Sequence, residues 1–159
     1  MGNILSLANL RTEALLNIVV RADSGIESLA DLAGKTVMVQ SASSGLDALT
    51  ANEELTASFG ELVQLPDYNT GFLELRQGTV DAVVVDVGVG NYQIANTEGD
   101  YVILSEPVSV EQYAVGFYLG NEALRDAVNE QLLAMAEDGT MMSIAEKYVD
   151  KGLSLDSLC

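Results

Sequence analysis

The chain has 159 residues, 48% of them apolar, enough for one domain with a substantial core. Lys and Arg total 7 against 24 Asp and Glu, and the resulting net charge of −17 repels nucleic acid and anionic lipid headgroups. There is no histidine, and the single cysteine is Cys159, so His-based acid–base catalysis, the usual zinc sites and an internal disulfide are excluded. The N-terminal stretch lacks a basic segment followed by an unbroken apolar one, so no export signal is expected in this chain, and no apolar run reaches membrane-spanning length.

Periodicity predicts strands alternating with helices. The β-branched run LNIVVR predicts a strand over 16–21, followed by a short helical turn over 28–32 and, after the turn Ala33, Gly34, Lys35, a strand over 36–40. A helix is expected over 44–58, with Leu46, Leu49 and Leu55 inward, stopping at Phe59 and Gly60 before a strand over 61–65 that Pro66 ends. Asn69 is placed to cap a helix over 70–77, with Phe72, Leu73 and Leu75 on its apolar side and Gly78 closing it. A strand over 81–85 and a helix over 87–95 follow, the latter carrying Val89, Tyr92 and Ile94 despite Gly88 and Gly90.

Strands are then expected over 101–104 and 112–119, on either side of a loop holding Pro107. The pattern changes to two successive helices, over 121–137 (Leu124, Val128, Leu132, Met135) and 140–149 (Met141, Ile144, Tyr148), with Gly139 between them and a loosely held tail from Asp150 to Cys159. The Met135, Met141, Met142 group sits at helical spacing and reads as core or interface rather than a metal site. The fold class is therefore α/β, a mostly parallel sheet flanked by helices plus two C-terminal helices.

Two stretches carry chemistry. VMVQSASSG at 37–45 is an apolar strand running into a serine-rich loop and a helix start, where converging backbone N–H groups suit an anion. GTVDAVVVD at 78–86 delivers Asp86 to the carboxyl end of a strand, where ligands of open α/β sheets sit and a carboxylate suits a cation. Two opposite grips on one sheet edge match a zwitterion such as an amino acid. The serines also read as a capped loop and Asp86 as the cap of the next helix, roles compatible with binding; Asp81 reads as a structural residue at the start of its strand.

In order and spacing, SLADLAGK at 28–35, the two stretches above, YAVGF at 113–117 and LRDAVNEQLLAMAEDGTMMSIAEKY at 124–148 together resemble the extracytoplasmic solute-binding proteins of polar amino-acid ABC importers. The resemblance implies a periplasmic-binding-protein-like lobe. In that family two α/β lobes are joined by two crossing strands and clamp an amino acid between them. Residues 1–17 then correspond to the remnant of a first lobe otherwise missing, 18–118 to the second lobe with its crossing strands, and 119–159 to a helical segment that packs on the first lobe.

The resemblance implies ligand-binding roles for Gln40, Ala42, Ser43 and Ser44 at the ligand carboxylate and for Asp86 at its ammonium, with Ala42 standing where the family usually has glycine. The first lobe's carboxylate-binding arginine is not carried over, since Arg11 and its neighbours match that motif poorly. Tyr68, Asn69 and Gln40 remain to line the ligand side-chain pocket, and they suit polar or apolar side chains alike. The implied partners are a small-molecule amino acid and an ABC transporter permease, in a periplasmic or extracellular, membrane-associated setting. No catalytic residue, metal or other cofactor is expected.

With the first lobe missing, the apolar face of the C-terminal helices must pack on its own sheet or on a second copy, which predicts a homo-oligomer through those helices. Two other readings compete. One is a cyclohexadienyl or arogenate dehydratase-like enzyme on the same fold, for which no general acid is marked. The other is a remnant that dimerises without binding anything.

Overall fold

The computed structural model describes residues 4–97, 99–151, 153 and 155, with side chains from residue 15 onward. Cys159 and most of the expected tail lie outside the described residues. The chain divides into two compact units, one of Leu15–Val110 and the other of Met1–Ala14 with Glu111–Cys159.

The sheet is built on alternation, its strands β2 to β5 and the end of β1 lying in the Leu15–Val110 unit. Strand β1 (Ile4–Arg21) is followed by a single-turn 3₁₀ helix (Leu29–Leu32), β2 (Thr36–Gln40), helices α1 (Ser44–Ala51) and α2 (Glu53–Ser58), and β3 (Glu61–Leu65). Then come α3 (Tyr68–Gln77), β4 (Ala82–Asp86), α4 (Val87–Ala95), β5 (Tyr101–Ile103) and β6 (Ser109–Tyr118). The strand order is β3-β2-β4-β1-β5, with β6 pairing β1.

Strands β3, β2 and β4 are parallel, as strands joined by helical crossovers through α1–α2 and α3 are, whereas β1 runs antiparallel to both β4 and β5. The sheet is therefore mixed, with less parallel pairing than strand–helix alternation alone suggested. The crossover rule constrains strands linked through helices, and β1 does not enter β4 that way.

Successive residues of the central strands bury to opposite faces, following the two-residue period of a strand. Ile18, Val20, Val37, Val39, Ala82 and Val84 pack on one face with Leu32 and Leu49. Val19, Met38, Val83 and Val85 pack on the other with Phe72, Leu75 and Tyr101. Because both faces are covered, these strands read as unbroken apolar runs, and each buried Val or Leu contributes about 1.5–3 kcal/mol. Asn17 is the buried polar residue of this core, and its Nδ2 donates to the Leu104 carbonyl at 3.1 Å.

Several expected boundaries shift. The helix expected over 44–58 is two helices, because the Asn52 side chain accepts from the Leu55 N–H at 3.3 Å and restarts the helix there. Asp67, not Asn69, caps α3, which therefore begins at Tyr68. Leu73 and Tyr92, expected inward, are exposed. Strand β1 extends well upstream of 16–21, into a stretch that sequence pattern does not mark because it lacks the β-branched run of residues 18–20. The turns hold for local reasons. Gly78 closes α3 in the left-handed region at φ 78°, and a Cβ on Gly60 would lie 2.5 Å from the Gly34 carbonyl oxygen.

In the second unit α5 (Glu122–Glu137) and α6 (Thr140–Ala145) are joined through Gly139 at φ 80°, and a 3₁₀ turn (Glu146–Lys151) follows α6 where helix had been expected to continue. Along the apolar stripe of these helices Leu124, Ile144 and Tyr148 are 41–50% exposed, while Val128, Leu132, Met135 and Met141 are half-buried.

Candidate functional site

Parallel pairing of β2 with β4, with Val39 opposite Val84, ends both strands at the same edge of the sheet. Neighbouring strands lie about 4.8 Å apart, so the loop after Gln40 and the residue closing β4 emerge side by side. β3 also runs parallel to β2 and ends at this edge, and α3 starts two residues beyond it. The amino-terminal ends of α1, α3 and α4 are thus delivered to one edge, capped by Ser43, Asp67 and Asp86.

Each sequence-predicted residue has a defined place in this edge. The Gln40 side chain, at the end of β2, donates to the Pro66 carbonyl at 3.0 Å, and the Ser41 N–H donates to the Leu65 carbonyl at 2.9 Å, so the β2 and β3 ends are tied together. Ala42 adopts the left-handed region at φ 53°, the one non-glycine among the described residues to do so, which gives a physical reason for glycine at this position. Ser43 caps α1: its hydroxyl accepts from the Leu46 N–H at 3.2 Å and donates to the Gln40 carbonyl at 2.7 Å. Ser44 is exposed at the first position of α1. Gly45 is buried, and a Cβ there would meet Val39 at a tight 3.3 Å and Val84 at 3.5 Å, so glycine lets α1 lie close on β2 and β4.

Asp86 ends β4, is half-buried, and accepts from the Gly88 N–H at 2.7 Å as the cap of α4. The capping roles foreseen for Ser43 and Asp86 are therefore both realised. Asp81 is structural, accepting from the Thr36 N–H at 2.9 Å.

Tyr68 is the first residue of α3. Its side chain packs against the core on the sheet face that carries Phe72 and Leu75. Burial pushes its phenol above the ordinary value of 10.0; a hydrogen bond with the Ser43 side chain works against this, and the negative charge of Asp86 adds to it. The sequence marks Tyr68 only as pocket wall.

A cleft of about 390 Å³, lined by Arg21, Asp23, Arg76, Asp100 and Tyr101, is elsewhere. It lies at the far end of β1, roughly 16 Å along the strand from Leu16, which is the partner of Asp86. Arg21 there caps α3, donating to the Leu75 carbonyl at 2.9 Å, and pairs with Asp23 at 3.4 Å. Among the described residues no group of three or more acidic side chains is placed to hold a metal ion, and no helix is long and apolar enough to cross a membrane.

A mixed sheet with helix amino-termini gathered at one edge defines a periplasmic-binding-protein-like α/β lobe. The chain belongs to the NMT1/THI5-like family, which it matches over residues 2–144. It is similar to the L-cystine-binding protein TcyJ of Escherichia coli (strain K12), at 29% identity over 135 residues covering 82% of this chain and 48% of that protein.

Among solved structures it resembles an ancestral arginine-binding protein bound to arginine, at 32% identity and TM-score 0.74, covering 89% of this chain and 63% of the other. It also resembles an ABC uptake transporter substrate-binding protein from Streptococcus pneumoniae with bound histidine, at 25% identity and TM-score 0.81, covering 94% and 63%. The chain spans about half the length of the curated relatives it matches. These relatives are named as binding proteins and give no support to a dehydratase.

Proposed function

We propose that this chain is the ligand-holding lobe of an amino-acid-binding component of an ABC importer, and that it captures its solute without chemical change. The observation that carries the reading is the parallel β2–β4 pair, which sets the 42–44 turn and Asp86 side by side. The turn offers backbone N–H groups and the Ser44 hydroxyl to a carboxylate, and Asp86 offers a charge-assisted hydrogen bond to an α-ammonium. Gln40 stands beside the turn. In this reading residues 18–118 are the second lobe with its crossing strands, 1–17 the end of a first lobe and 119–159 a segment that packs on that lobe, and the partner is a transporter permease outside the cytoplasm.

The test is titration of the full chain with the twenty amino acids and cystine, followed by amide chemical shifts. Shifts should cluster at residues 42–45 and 86–88 and vanish in Asp86→Ala; shifts confined to other regions would refute the assignment.

The exposed stripe of Leu124, Ile144 and Tyr148 favours self-association through the C-terminal helices. Sedimentation should then show a concentration-dependent dimer that Leu124→Glu with Ile144→Glu dissociates, and a compact monomer at all concentrations would refute it.

A further inference from the structure

Along one edge of β1 the partner strand changes from β5 to β6, and a buried asparagine sits at the change. The Leu104 N–H donates to the Ile18 carbonyl at 2.9 Å, and the Val108 N–H to the Leu16 carbonyl at 2.7 Å. A regular antiparallel ladder has one residue between two such pairs. Here there are three, residues 105–107, and they bulge out opposite Asn17. The Asn17 side chain takes over from the ladder: its Nδ2 donates to the Leu104 carbonyl at 3.1 Å. A carbonyl only accepts, so this bond fixes the amide with its nitrogen toward Leu104 and its oxygen turned elsewhere.

That oxygen is an orphan. Asn17 is 4% exposed, and its Oδ1 has no hydrogen-bond partner in the folded chain. The Ser109 hydroxyl, at the first position of β6, is likewise shielded from bulk solvent and without a partner. Among the described residues these are the two side-chain atoms in that condition, and both belong to the Leu15–Val110 unit. Buried polar groups are nearly always paired, so two unpaired ones beside the same bulge point to one shared partner.

The ladder brings them together. With Val108 bonded across to Leu16, the next residue, Ser109, falls opposite Leu15. Residues two apart on a strand share a face, so Asn17 and Ser109 are diagonal neighbours on one face. The Cα atoms of such neighbours lie about 7–8 Å apart. Two short side chains at that separation suit a bridge, and one water spans about 5.5 Å between two oxygens. The donor count agrees: the amide oxygen only accepts, the hydroxyl donates and accepts, and water does both.

We propose that Asn17 Oδ1 and the Ser109 hydroxyl hold an internal water, a hydration site built into the fold where β1 exchanges β5 for β6. The water donates to Asn17 Oδ1 and shares a second hydrogen bond with Ser109. Asn17 thus grips the bulge through one end of its amide and the water through the other. Its place beside Ile18, Val19 and Val20 follows from that double duty.

The experiment is a crystal structure of the full chain at a resolution that shows waters, with Ser109→Ala solved alongside. Wild type should carry one density peak within about 3.2 Å of both Asn17 Oδ1 and Ser109 Oγ. Ser109→Ala keeps the strand and removes only the hydroxyl, and there the peak should be lost. In solution, a water-selected ROESY spectrum should show a cross-peak from long-lived water to the Asn17 side-chain amide protons that Ser109→Ala loses. A protein donor turned onto Asn17 Oδ1, a dry contact with apolar side chains, or separate waters on the two atoms would overturn the bridge. So would a peak that persists in Ser109→Ala.

Discussion

The Asp81 carboxylate accepts the Thr36 N–H at 2.9 Å while the Asp81 N–H donates to the Thr36 carbonyl at 2.8 Å, so one residue clamps the starts of β4 and β2 twice. Asp81→Ala removes the side-chain half and leaves a part-buried N–H without its acceptor, which costs about 1–3 kcal/mol. Urea denaturation should show a lower midpoint with an unchanged slope. A midpoint equal to wild type would mean that water replaces the carboxylate at no cost.

Ala42 carries a backbone conformation suited to glycine. The left-handed region costs a residue with a Cβ about 1–2 kcal/mol, and the extra freedom of glycine in the unfolded chain gives back about 0.4–1 kcal/mol of the gain. Ala42→Gly is therefore expected to stabilise the chain by about 0.5–1 kcal/mol. Thermal unfolding measures it, and a lower midpoint would show that the turn does not hold this conformation in solution.

Acid should weaken the start of α3. Two hydrogen bonds at 2.9 Å, from the Thr70 N–H and the Thr70 hydroxyl, hold the Asp67 carboxyl below its ordinary value of 3.8, the backbone bond having the larger effect. A carboxylate whose folded value is depressed contributes stability above its unfolded value and loses that contribution as pH falls through the folded one. Wild type should therefore exceed Asp67→Asn in stability at neutral pH, and the two should converge as pH drops below 3.8. A gap that persists at the acid end would assign the difference to shape rather than charge.

Much of this architecture is legible in the residues. Strands β2 and β3 fall at their expected bounds because each apolar run is closed by an unambiguous breaker, Gly34 before one and Pro66 after the other. Positions where two residues compete for one role are not legible from pattern alone. Asp67 and Asn69 can each cap a helix, and Asp67 prevails by binding both the backbone and the hydroxyl of Thr70. Asn52 sits inside a run of good helix formers, and only its side-chain bond to Leu55 reveals the break.

The same division holds at the candidate site. The serine loop and Asp86 stand out because strand ends are where such groups collect. The place of Tyr68 depends on β3 lying beside β2, a pairing over which the spacing of residues has no control.

Two of the three helix starts at the candidate-site edge are closed by aspartates, Asp67 and Asp86, and the third by the neutral Ser43. The negative caps offset the partial positive charge of α3 and α4, while at α1 the nearest carboxylate of the helix is Asp47, three residues beyond its first residue rather than at the cap. On the proposed reading the neutral Ser43 cap makes the start of α1 the least negative of the three, which orients a dipolar solute before any of its side chains is inspected.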